Sequence, residues 1–240
     1  MHLTLHQERV SPSGSMMSIG ILNQLGRPNL DTLAVLVREA VQNSWDARLG
    51  NDLPVFFGIS GWTMDDQQRQ YLAEQVFRDT PPMSSLPLAA LLQRAESINA
   101  LVLYDRGTVG LGGSTRADDV PTDGESSNFV NFLRNVGQPA ARDFSGGTYG
   151  YGKAAFYRAS QARAIAVYSR SRFRGQLETR FMAAALGEPY IEGRTRYTGR
   201  FWWGIPVSEH LDLVDPVFNQ EADTAAAALG MPLFEGAECG

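Results

Sequence analysis

Apolar positions recur along the chain with two spacings. Over residues 31–49, Leu33, Val37, Ala40, Val41 and Ser44 fall on one side of a 3.6-residue period; Asp31 stands where an N-cap belongs and Gly50 follows as a stop, which predicts a helix. Short apolar runs at 54–60 (PVFFGIS) and 100–104 (ALVLY) predict buried strands. Residues 164–172 and 176–186 alternate on either side of Arg174-Gly175 and predict a hairpin, and 197–205 predicts a further strand. Helices are expected at 65–77, 87–96, 129–136, 154–159 and 221–229. Residues 1–30 are mixed and turn-rich, and 106–127, rich in Gly, Ser, Thr and Asp, predict an irregular, mobile loop. Strands mixed with helices, without regular βαβ alternation, predict an α/β sandwich with a mixed sheet.

Composition narrows the function classes. The 240 residues suffice for one large domain or two small ones, and 43% hydrophobic with 20% charged residues is ordinary for a globular protein. A net charge of -5 argues against a chain-wide basic footprint for nucleic acid and leaves room only for a local patch. No apolar run approaches the ~20 residues of a membrane span, and residues 1–18 lack the charged-then-apolar pattern of a signal peptide. The cytoplasm is the expected compartment. Cys239 is the only cysteine, which excludes an internal disulfide framework and a cysteine-rich metal site. Three scattered histidines, His2, His6 and His210, do not suggest a zinc site or a Ser-His-Asp triad. Of the 21 basic residues only Lys153 is lysine, a compact point charge placed directly after a glycine-rich run.

On the first helix, Glu39, Asn43 and Asp46 lie within an arc of ~60°, apart from the apolar side. A solvated face can carry such residues, but asparagine is a poor choice in an exposed helix interior. An amide oxygen suits a hard cation beside phosphates, and a carboxylate one turn earlier can hold a water for attack on phosphorus. Asp105, at the end of a predicted strand, is followed by Arg106, Gly107, Thr108, Val109 and Gly110. A carboxylate there can accept from the exocyclic amine of adenine, and glycines let the backbone turn sharply. Gly147, Thr148, Tyr149, Gly150, Tyr151, Gly152 and Lys153 form a glycine-rich loop before a predicted helix, suited to phosphates.

The stretch from Glu39 to Ala47 resembles the ExxxNxxDA box of the gyrase, heat-shock chaperone, histidine kinase and MutL (GHKL) ATPases. Asp105 to Gly110 is similar to that superfamily's DxGxG box, with the second glycine displaced, and Gly147 to Lys153 resembles its GxxGxGK lid box. The three occur in the superfamily's order, with Glu39, Asp105 and Gly147 separated by 66 and 42 residues. The resemblance covers roughly 33–159 and is nearest to heat-shock-chaperone-like and MORC-like bacterial ATPases. It implies a Bergerat-type fold: a two-layer sandwich with a mixed sheet and helices on one face. The implied roles are Glu39 as catalytic base, Asn43 as magnesium ligand and Asp105 as adenine acceptor. Asp46, Ala47, Gly107, Gly110 and the 147–153 loop would complete the ATP site.

Two other glycine-loop readings fail. A P-loop needs a Ser or Thr after Gly152-Lys153, where Ala154 stands, and a dinucleotide fingerprint lacks its third glycine. The resemblance further implies a lid over about 107–146, an N-terminal arm of residues 1–30, and an ATP-dependent homodimer. An ATP-binding domain over 31–240 is expected to stop before a last strand and a following domain, and to be a weak enzyme alone. Antiviral defence or DNA maintenance is the implied setting. A regulatory module that hydrolyses little, and a histidine-kinase-like phosphotransferase, remain alternatives.

Overall fold

The runs Phe181–Met182–Ala183–Ala184–Ala185–Leu186 and Phe201–Trp202–Trp203 are apolar at every position, so the strands carrying them must be covered on both faces. The computed structural model, which describes residues 2–24, 31–50, 52–94, 96–135, 152–208 and 210–240, has them so. Phe181, Ala183, Ala185, Phe201 and Trp203 pack on one side of the sheet; Met182, Ala184, Leu186 and Trp202 pack on the other. Register sets small against large: Ala183 pairs with Trp203, Ala184 with Trp202 and Ala185 with Phe201.

Nine strands are described: β1 (Thr4–Arg9), β2 (Phe56–Thr63), β3 (Asn99–Arg106), β4 (Ala164–Phe173), β5 (Gln176–Leu186), β6 (Tyr190–Glu192), β7 (Thr195–Val207), β8 (His210–Asp215) and β9 (Val217–Phe218). The helices are α1 (Ser18–Gln24), α2 (Thr32–Asp46), α3 (Asp66–Tyr71), α4 (Leu88–Arg94), α5 (Ala154–Ala159) and α6 (Asn219–Ala228). Single π-helical segments follow α3 (Leu72–Val76) and precede α5 (Val130–Arg134). The main sheet runs β1-β7-β5-β4, with β6 and β8 on β7 and β9 on β5; β2 and β3 form a separate ribbon. The expected hairpin is present: Arg174 and Gly175 both have positive φ (49° and 79°), the geometry that suits a tight turn between twisted strands.

The fold is mixed α/β, and it departs from the expected sandwich in two respects. All described strand pairings are antiparallel, so the sheet is not mixed among the described residues. Helices lie on both faces rather than one. Residues of the α3 extension, α4 and α6 join the Phe181–Trp203 side, while Ile21, Phe129, Leu133, Ala154 and Tyr157 cover the Met182–Trp202 side. The physical reason is the unbroken apolar character of β5 and β7, which leaves neither face for water. No helix among the described residues is long and apolar enough to cross a membrane.

Two segments are more ordered than their composition predicts. Residues 4–24, read as part of an arm, supply β1, which pairs with β7, and α1, whose Ser18 hydroxyl donates to the carbonyls of Gly187 (2.5 Å) and Thr198 (2.9 Å). Residues 108–115, within the expected mobile loop, are pinned. The buried Arg134 guanidinium donates to Thr115 O (2.5 Å) and Val214 O (2.7 Å), Thr115 Oγ1 donates to Asp215 (2.8 Å), and Gly112 O accepts from Phe129 N (3.0 Å). Burial pulls the Arg134 pKa down to about 10, with the Asp215 carboxylate opposing that pull.

Candidate functional site

Helix α2 begins at Asp31, whose carboxylate accepts from the backbone N–H of Leu33 (3.0 Å) and Ala34 (3.4 Å). Its buried residues are Leu36, Ala40 and Ser44. Leu33 and Val41, expected in the core, are 52% and 44% exposed, so the helix is rolled toward the Glu39 and Asn43 side. That roll brings α2 against α5. At their contact a Cβ built on Gly152 would stand 1.8 Å from Glu39 Oε2, so any side chain there displaces the carboxylate. The first and third motifs therefore meet in space.

Asn43, one turn further, holds its Nδ2 buried with no hydrogen-bond partner among the described residues. Buried amides are ordinarily satisfied, so this group has unused capacity: a donor for a phosphate oxygen, or, with the amide turned over, an oxygen for a cation. Asp46 is not brought to the same place; it is exposed and accepts from Gln42 Nε2 (3.0 Å). Among the described residues no group of three or more His, Cys, Asp or Glu side chains is arranged to hold a metal ion. A magnesium ion on Asn43 would take its other ligands from water and phosphate oxygens, the usual shell of that ion.

The second motif is laced to the end of α2. Val109 N donates to Ala47 O (2.8 Å), Leu49 N donates to Gly107 O (3.2 Å), and Arg48 and Thr108 form an isolated antiparallel bridge. Asp105 is the next-to-last residue of β3, and its Oδ1 accepts from the buried Thr108 hydroxyl at 2.9 Å. The two glycines of the box are explained by the fold itself. Gly107 (φ 81°) and Gly110 (φ 64°) are left-handed, and a Cβ on each would stand 2.4 Å from Pro54 O and 2.3 Å from Arg170 O. They permit the chain to cross close to its own backbone, a need that exists without any ligand.

Of the lid box, Gly147, Thr148, Tyr149, Gly150 and Tyr151 lie outside the described residues. Lys153 Nζ donates to Asn131 O (2.6 Å), in the π-helical segment, and burial lowers its pKa to about 8. Asn131 also lines a cavity of about 140 Å³ together with Ser114, Arg116 and Ser127. The lysine is thus bonded to the 130–134 segment.

Sequence spacing missed several groups here. Thr108 sits on Asp105, Asn131 holds Lys153, and residues 239–240 pack against Asp105 and Gly107: Gly107 N donates to Cys239 O at 3.2 Å, and a Cβ on Gly240 would lie 3.0 Å from Asp105 Oδ1. Thr108 was open to detection as a short hydroxyl three residues after the acid. The other two depend on long-range packing and leave no local signal. Set against protein-family models, curated proteins and solved structures, the chain matches none of them.

Proposed function

We propose that this chain binds ATP and hydrolyses it with magnesium, as a module of GHKL type. The observation that carries the reading is convergence on α2: Gly152 of the third motif lies against Glu39, and the Asp105 loop is hydrogen-bonded to the helix end at Ala47 and Leu49. Described residues of all three motifs, far apart in sequence, thus lie along α2 and its C-terminal end. The unsatisfied Asn43 amide in the same stretch is a second support.

In this reading Asp105 accepts from the adenine amine, Asn43 faces magnesium and phosphate, and residues 147–153 close over the phosphates. Glu39 takes a proton from a water whose oxygen bonds to the γ-phosphorus as the bond to the ADP oxygen breaks, leaving ADP and inorganic phosphate. A conformational switch through an ATP-dependent homodimer, in the cytoplasm and in the service of DNA maintenance or phage defence, is the setting the resemblance implies. A regulatory module with little hydrolysis is the second reading. It draws support from Lys153 being tied to Asn131 and from residues 239–240 lying on Asp105, an arrangement not set for turnover.

Phosphate release with magnesium and ATP, compared between wild type and Glu39→Ala, separates these readings. Hydrolysis lost in the variant with ATP binding retained is the expected result. Binding without release in wild type favours the regulatory module, phosphoprotein formation favours a phosphotransferase, and absence of nucleotide binding overturns the proposal.

A further inference from the structure

Residues 231–240 have no regular secondary structure, yet they are fastened to β3, the strand that carries Asp105, and to β4 of the main sheet. The Arg106 guanidinium, at the end of β3, lies 4.1 Å from the Phe234 ring centre, donates to Pro232 O (3.2 Å) and Leu233 O (3.0 Å), and pairs with Glu238 at 3.4 Å. From β4, Arg170 stands 5.1 Å from the same ring and donates to Gly236 O (3.3 Å), and Tyr168 packs on it with ring centres 5.0 Å apart. Two guanidinium groups therefore approach the Phe234 ring, each attracted to its electron-rich face.

Beyond that anchor, the chain enters the gap between the ends of β3 and β4. Gly240 and Arg170 exchange backbone hydrogen bonds of 3.0 Å each way, Ser169 Oγ donates to Gly240 O (2.6 Å), and Gly107 N donates to Cys239 O (3.2 Å). A Cβ on Gly240 would meet Asp105 O at 2.3 Å and Asp105 Oδ1 at 3.0 Å. Between 231 and 240 only Phe234 and Cys239 are buried, while Leu233 and residues 235–238 are exposed. Release would break the contacts above and expose one ring and one thiol, a small apolar area beside the Phe181–Trp203 core, which suits a segment that opens locally.

We propose that residues 231–240 are a strap that covers the Asp105 carboxylate and gates ligand access to it. The inference rests on the reading of Asp105 as the group that receives adenine. The strap and the base compete for the same side of Asp105, so whatever loosens Phe234 exposes the carboxylate, and bound nucleotide holds the strap off.

Cys239 is the chain's only cysteine and is 5% exposed, so its rate of reaction with a thiol reagent such as dithionitrobenzoate reports strap release directly. Phe234→Ala is expected to speed labelling tenfold or more and to tighten ATP binding several-fold, and ATP is expected to speed labelling of wild type. Arg106→Met, which keeps the aliphatic stem and loses the guanidinium contacts, must show the same acceleration if Phe234→Ala does not fold. Unchanged labelling in a folded variant overturns the strap. Faster labelling with equal ATP affinity in wild type and variant overturns the gate and leaves the nucleotide reading standing. Faster labelling with no ATP binding by either protein removes the nucleotide reading, and the gate with it.

Discussion

A methyl group on Gly152 would stand 1.8 Å from Oε2 of Glu39, so the residue before the lone lysine is tailored to the carboxylate of another helix. The obstructing atom is the end of a flexible side chain, which can swing aside. Gly152→Ala is therefore expected to change stability by no more than about 1 kcal/mol, at the low edge of the 1–3 kcal/mol typical of overpacked cores. It should nevertheless lower ATP turnover nearly as far as Glu39→Ala does, because it moves the base. Denaturant unfolding alongside phosphate release checks this. A variant that keeps full turnover removes Glu39 from the chemistry.

Much of the fold was legible because its strongest elements are locally consistent. The Asp31 cap, the Arg174-Gly175 turn and the apolar runs of β5 and β7 each state their conformation within a few residues. What could not be read depends on partners distant in sequence. The apolar arc of α2 is wider than its contact, and periodicity alone does not say that Leu36 is buried while Leu33 stays exposed. Strand β1 reads as polar because it is held by specific polar and ring contacts: Glu8 accepts from Thr198 Oγ1 (2.7 Å) and Arg200 (2.9 Å), and His6 stacks on Trp202. Residues 108–115 have a loop's composition, and Arg134 fixes them through carbonyls no motif predicts. On α2, an arc on a helical wheel groups Asp46 with Glu39 and Asn43, but it does not show that Asp46 is exposed and bonded to Gln42.

Asn43 offers a test in which stability and function move in opposite directions. A buried donor without a partner costs about 1–3 kcal/mol. Asn43→Leu, which removes that donor and fills similar space, is expected to leave the unfolding midpoint unchanged or raised. The same variant should lose magnesium-dependent nucleotide binding by tenfold or more in calorimetry. A loss of stability without loss of binding marks Asn43 as a purely structural residue.

Asp105 and Thr108 form a pair that determines base preference in the proposed site. The 2.9 Å hydrogen bond occupies Oδ1 and orients the carboxylate. Asp105→Asn is expected to weaken ATP binding by more than ~1 kcal/mol, the range for a charge-assisted hydrogen bond. GTP, which lacks an amine at the corresponding ring position, should bind weakly to wild type. Thr108→Val should erode the preference for ATP over GTP, and Thr108→Ser, which keeps the hydroxyl, should restore it. Equal affinity for the two nucleotides in wild type overturns the role of Asp105.

Lys153 carries a pH dependence whose sign follows from its burial. The amine titrates near 10.5 ordinarily and is pulled down to about 8 in the folded chain. Between those values the unfolded chain binds a proton that the folded chain does not, so stability rises with pH across that window and the penalty is fully present below it. Lys153→Met, which keeps the length and drops the charge, is expected to be more stable than wild type at pH 7. That advantage should shrink steadily from pH 8 toward 10.5. Other groups titrate in the same range, but they are common to both proteins and cancel in the difference. Bound polyphosphate favours the ammonium form and raises its pKa, so nucleotide affinity of wild type should fall above pH 8, whereas the methionine variant should lose that dependence. Unfolding curves and calorimetry at pH 7, 8, 9 and 10 give both readings. A stability difference that stays constant with pH contradicts the lowered pKa, whereas a normal stability profile with pH-independent nucleotide affinity leaves Lys153 bonded to Asn131 and away from the phosphates.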